Sequence, residues 1–171
     1  DEVVSRADLP FAIGKAINLY ESEGEKNLRV LLISTGIMTQ RILKVAKALE
    51  AMSISVMVLH CHTVKPLDEA TILHYAKKAD LIATVEENTL IGGLGSAVTD
   101  YLVETLGRNI PLIKRFGLPD RFPDKYGSQE LLLDYFGLSV DKLLTDITQI
   151  LQTHLPSEFA IETIRREASN G

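Results

Sequence analysis

The chain has 171 residues, 46% of them hydrophobic and 24% charged, a balance that suits one globular domain of ordinary size. Its formal net charge of −5 argues against a nucleic-acid or anionic-membrane surface, which needs a clustered positive field. The one cysteine, Cys61, excludes an internal disulfide and fits a reducing compartment. No apolar run approaches the ~20 residues that span a bilayer. The opening residues Asp1 to Arg6 lack the basic start and apolar stretch of a secretory leader, so the expected location is the cytoplasm.

In chain order, Ala16 to Tyr20 reads as a first strand, separated by a short polar turn from a second at Arg29 to Ser34. Too few residues intervene for a crossover helix, so these two strands are expected to pair antiparallel. Arg29-Val30-Leu31-Leu32-Ile33-Ser34 is almost continuously apolar, as a strand buried on both faces should be. After Gly36, Thr39 to Met52 carries Ile42, Val45, Ala46 and Leu49 at helical spacing. The cycle then repeats. Ile54 to Leu59 is a third strand, Pro66-Leu67-Asp68 opens a helix running to about Lys78, and Asp80 to Val85 is a fourth strand. Gly92 to Gly95 leads into a helix ending near Gly107, and Pro111 to Phe116 is a more exposed fifth strand. Helices at about Ser128 to Phe136 and Val140 to His154 follow. This alternation predicts an α/β fold of three layers (α/β/α), with a mostly parallel sheet of about five strands and one antiparallel edge.

Four segments could carry chemistry. The turn Ser34-Thr35-Gly36-Ile37-Met38-Thr39 lies at the carboxyl edge of the sheet, where α/β folds gather ligands and helix N-termini attract anions. It lacks a G-x-G-x-x-G loop, and a plain structural turn at Gly36 is the weightier reading. His60 and His62 share one face of an extended chain, yet a structural zinc site wants four ligands, so capping hydrogen bonds outweigh metal binding. Cys61 reads as a small buried hydrophobe. Glu86 and Glu87, beside Gly92, Gly93 and Gly95, suggest either an acid/base pair facing an anion nest or a tight turn with close helix packing. Adjacent carboxylates point to opposite sides of a strand, which weakens the first reading. Arg121 in Gly117-Leu118-Pro119-Asp120-Arg121-Phe122 could hold a phosphate or carboxylate, or pair with Asp120, Asp124 or a partner chain.

The ordered set of turns is more specific than any one of them. Phe11 to Ala16, Ser34 to Met38, His62-Thr63-Val64-Lys65-Pro66-Leu67-Asp68-Glu69, Thr84 to Asn88, Ile91 to Val98 and Gly117 to Phe122 occur in sequence. Together they resemble the C-terminal domain of the transketolase family, most closely the C-terminal subunit of split transketolases, over roughly residues 5–151. The last of these segments, with Gly127-Ser128, is also similar to the end of 1-deoxyxylulose-5-phosphate synthase. The resemblance implies a domain over residues 13–155, with 1–12 a linker from a pyrimidine-binding domain and 156–171 a charged tail.

The resemblance also implies a homodimeric parent enzyme whose other domains hold thiamine diphosphate and Mg, while this domain serves assembly. The sequence contains no Gly-Asp-Gly metal motif, so no cofactor, no metal and no catalytic residue is expected on this chain. Its expected partners are the cofactor-binding domains or subunit of the same enzyme, with no nucleic acid and no membrane. Ser5-Arg6-Ala7-Asp8-Leu9-Pro10 resembles the segment in which the family's arginine contacts the substrate phosphate, making Arg6 the expected substrate contact. A free-standing anion-binding regulatory module is the competing reading.

Overall fold

The computed structural model describes residues 11–24 and 27–155. Arg6, most of the expected linker and the expected charged tail lie outside the described residues.

Five strands form one sheet: β1 (Ile17–Glu21), β2 (Arg29–Ser34), β3 (Ser55–His60), β4 (Leu81–Thr89) and β5 (Leu112–Leu118). Their spatial order is β1-β3-β2-β4-β5, antiparallel between β1 and β3 and parallel elsewhere. The antiparallel edge is where the alternation places it, but its partner is β3 rather than β2. Both edges of β2 are already taken, by β3 and by β4. The nearly continuous apolar run of β2 is best buried at the centre, and β1, with Asn18 and Glu21 exposed, suits an edge.

Period-two alternation sends the side chains of β2 into two separate cores. Val30 and Leu32 pack on one face with α1 (Met38–Ala51) and α5 (Val140–His154), through Ile42, Val45, Leu49, Leu143, Ile147 and Leu151. Leu31 and Ile33 pack on the other with α2 (Glu69–Ala76) and α3 (Leu94–Leu106), through Ile72, Leu94, Val98 and Leu102. A short α4 (Gln129–Tyr135) adds Leu133 to the first core. The result is the expected three-layer α/β/α arrangement.

The helix starts follow local chemistry. Ser128 and Ser139 each place a hydroxyl on the third backbone N–H beyond them, at Leu131 and Lys142, and so cap α4 and α5. Asp68 does the same for α2 through Thr71, which is why that helix begins at Glu69 and not at Pro66. Strand β4 runs four residues past the predicted Val85. Glu86 can continue it into the interior because its carboxylate finds two backbone donors there.

Candidate functional site

Strand order places the topological switch point between β2 and β4, and the loops that leave them meet at the carboxyl edge of the sheet. The first loop is Thr35 to Ile37. The second, residues 90–93, carries the glycine-rich turn just after Glu86 and Glu87 at the end of β4, so the structure brings together Gly36, Glu86, Glu87, Gly92, Gly93 and Gly95.

The two glutamates diverge, as alternation along a strand requires. Glu86 is fully buried; its Oε2 accepts from the Leu94 N–H at 2.9 Å and its Oε1 from the Gly95 N–H at 2.8 Å. The carboxylate therefore caps α3, whose N-cap Gly93 has no side chain to do so. Glu87 turns to the other face. Its Oε2 accepts from Gln129 Nε2 at 2.9 Å, and its Oε1 occupies the space that a Cβ on Gly36 would need. The N-terminal turn of α3 thus already holds a carboxylate of the chain itself, and a second, that of Glu87, lies beside Gly36 just ahead of α1.

Each glycine answers a different demand. Gly92 holds a backbone φ of +74° with open space around it, whereas Gly93 has an ordinary φ but would drive a Cβ into Glu86 Oε2. Gly93→Ala is accordingly expected to displace the capping carboxylate and lose about 2–4 kcal/mol. Gly92→Ala is expected to lose only ~1–2 kcal/mol of backbone strain. Urea unfolding of the two variants checks that order; equal losses would mean that the steric demand of Glu86 is not what selects Gly93.

Nearby polar groups form short chains. Ser34 Oγ lies 2.9 Å from Thr39 Oγ1, which lies 2.8 Å from His60 Nδ1. Burial, and next the neighbouring His62, hold the His60 imidazole below its ordinary pKa. The two rings are 6.0 Å apart, and among the described residues no group of three or more His, Cys, Asp or Glu is placed to hold a metal. Cys61 is buried, and burial followed by the charge of Asp68 pushes its thiol up to about 12, so it is an unreactive hydrophobe at neutral pH. Arg115, which sequence reasoning passed over, donates from Nη1 to Leu90 O at 3.3 Å and to Ser96 Oγ at 3.1 Å, bracing the glycine-rich turn.

Arg121 meets that cluster only at Glu87, with which it lines one cavity. It lies in the exposed loop after β5, its guanidinium carbon 6.0 Å from the centre of the Phe136 ring. Beside it a cavity of about 740 Å³ opens between the ends of β4 and β5 and helix α4, walled by Leu118, Pro119, Phe122, Leu132 and Phe136, with Glu87 and Gln129 also lining it. Neither the cavity nor the Gln129 contact was visible in the sequence, since Gln129 is 42 residues from Glu87.

The stretch before β1, from Phe11, is fastened at the same edge. Phe11 stacks on His62 at 4.3 Å between ring centres, and a Cβ on Gly14 would lie 2.8 Å from Pro66 Cγ. The Ala16 N–H donates to Asp68 Oδ2 at 2.9 Å.

Comparison with known proteins agrees with this architecture. Residues 21–143 match the family described as "Transketolase, C-terminal domain". An uncharacterised transketolase family protein of Sinorhizobium fredii is 39% identical over 142 residues, covering 82% of this chain and 39% of that protein. The 1-deoxy-D-xylulose-5-phosphate synthase of Desulforudis audaxviator is 37% identical over 132 residues, covering 77% of this chain and 20% of the synthase. A solved split-gene transketolase, an inactive β4 tetramer, superposes with a TM-score of 0.74 at 31% identity, over 88% of this chain and 46% of that one. The chain therefore spans only a fifth to two fifths of these curated relatives. Sheet order, the paired glutamates before the glycine-rich turn, and the match over most of the sequence agree: the chain belongs to the transketolase C-terminal domain family.

Proposed function

We propose that this chain is the assembly domain, or C-terminal subunit, of a thiamine diphosphate-dependent transketolase-type enzyme that moves a two-carbon ketol unit between sugar phosphates. The observation that carries the reading is the family match over residues 21–143 in a chain that spans 39% of its transketolase-family relative. The parent is read as a cytoplasmic homodimer in which other domains hold thiamine diphosphate and Mg, and Arg6 as a contact to the substrate phosphate.

The carboxyl edge itself does not fit that cofactor. A diphosphate seeks helix N-termini and backbone donors, and here two donors of α3 are taken by Glu86 while Glu87 lies beside Gly36, just ahead of α1. Like charge would repel it. The same arrangement supports an enzyme part over a free-standing anion-binding module.

The alternative parent is a 1-deoxyxylulose-5-phosphate synthase, favoured by the 37% identity to the Desulforudis audaxviator synthase. Titrating thiamine diphosphate with Mg into the isolated chain is expected to give no binding heat and no turnover, while the full enzyme or co-expressed complex performs ketol transfer. Identifying the product, a transferred ketose phosphate or a deoxyxylulose phosphate, separates the two parents. Tight cofactor binding by the isolated chain would overturn the reading.

A further inference from the structure

We propose that the carboxyl edge of the sheet, centred on the cavity between the end of β5 and α4, is the surface that seats this domain on the cofactor-binding part of its own enzyme. The inference rests on the function proposed above.

Apolar exposure is concentrated at that edge. Apart from Val103 and Tyr135, the large apolar side chains exposed among the described residues belong to segments there: the stretch before β1, the loops after β2, β4 and β5, and the outer face of α4. Phe122 is 97% exposed and Tyr126 wholly so. Exposed apolar side chains gathered along one end of a sheet mark an interaction surface rather than a solvated face.

The charges of the same loop are exposed but lie against its rings. Arg121 lies over the ring of Phe136, Lys125 Nζ sits 4.7 Å from the centre of the Tyr135 ring, and the Tyr135 hydroxyl donates to Asp124 Oδ1 at 2.7 Å. Arg121 and Lys125 are offset by Asp120 and Asp124, so the surface is close to neutral. That suits an apolar protein face and not a phosphate backbone or an anionic bilayer. Beside the protruding rings, the cavity of about 740 Å³ offers apolar walls over the Glu87–Gln129 pair. It is a socket for an aliphatic or aromatic anchor from the partner, and protruding rings beside a socket are the usual composition of an energetic centre.

Two kinds of protein partner have such a face: a second copy of this chain, or the cofactor-binding part of the enzyme. The latter is favoured on two grounds. The chain accounts for 39% and 20% of its two relatives, so most of such an enzyme lies outside this domain and must seat somewhere on it. The stretch before β1 also reaches the fold at this very edge, where Phe11 packs against His62.

The test is Phe122→Glu in the full enzyme or co-expressed complex, with Val103→Glu, exposed on α3 about 13 Å along that helix from its start, as the control. Both positions are exposed, so both variants should keep the wild-type circular dichroism. Phe122→Glu is expected to weaken association of this chain with the remainder by ~100-fold or more, and Val103→Glu by less than ~3-fold. In the wild type, the backbone amides of residues 120–127 should exchange slowly in the assembly and fast in the isolated chain. Wild-type affinity in Phe122→Glu, with the loop amides unprotected on assembly, would overturn the docking site and leave the proposed function standing. If wild-type chain joins no thiamine diphosphate-binding partner at all, the function fails and the docking proposal with it. If Phe122→Glu only turns a self-dimer into monomer and leaves the enzyme intact, the occupant is a second copy and the proposal is wrong.

Discussion

Replacing Glu86 by alanine is expected to lower stability by about 3 kcal/mol and the melting temperature by roughly 6–12 °C. The side chain is fully buried and accepts hydrogen bonds from the N–H groups of Leu94 and Gly95. No other side chain caps α3, because the N-cap is Gly93. Alanine would leave two buried donors unpaired and a cavity where the carboxylate had been. Glu86→Gln keeps the volume and one acceptor but turns an NH₂ toward a backbone N–H, so its loss should be intermediate. Thermal and urea unfolding of both variants check the order wild type, then Gln, then Ala. A neutral or stabilising Glu86→Gln would show that burying the charge costs as much as the cap returns, and the capping account would fail. The consequence is not only stability. The turn that Glu86 fastens presents Ile91 at the proposed docking edge, so Glu86→Ala should also weaken assembly.

Much of this architecture is legible in the order of residues alone. β2, β3 and β4 are buried on both faces, so their sequences are runs of branched apolar residues that few other elements could use. The amphipathic stripes of α1 and α5 mark helices with one face on a core. The pairing of β1 was not legible, because it depends on which strand keeps a free edge after the crossovers are laid down, and chain proximity favoured β2. The divergence of Glu86 and Glu87 follows from a period of two, but their partners do not. Leu94 and Gly95 come within reach only when α3 folds back, and Gln129 only when α4 docks beyond β5. Phe122 and Tyr126 fall in loop and turn segments, where the sequence does not say whether a ring folds inward or protrudes. Their exposure is visible only once the core is seen to be full without them. The family was legible from the order of six turns, since each reports a local backbone requirement and their sequence reports the topology.

Asp68 carries the second large effect, and it acts through pH. It is 4% exposed and accepts from the Ala16 N–H at 2.9 Å, the Thr71 hydroxyl at 2.8 Å and the Thr71 N–H at 3.3 Å, with Lys15 Nζ 3.6 Å away. It therefore caps α2 and pins the start of β1 to the sheet at once. Burial alone would push its carboxyl up, but the bonds from Ala16 and Thr71, with the charge of Lys15, hold it below its ordinary value near ~4. A group whose folded pKa is depressed stabilises the fold fully above its unfolded pKa and stops doing so as pH falls through the folded value. Asp68→Asn is thus expected to cost about 2 kcal/mol at pH 7, where one oxygen that accepts hydrogen bonds becomes a donor. The gap between wild type and variant should narrow once the pH drops below ~4, as the wild-type carboxyl takes up its proton. Urea unfolding at a series of pH values measures the gap. Hydrogen exchange at Ile17–Glu21 should accelerate in the variant, because β1 is an edge strand and Asp68 holds the backbone N–H that immediately precedes it. A gap that stays constant from pH 7 to about 3 would mean that the ionised carboxylate is not what holds β1, and that Asp68 acts only by its shape.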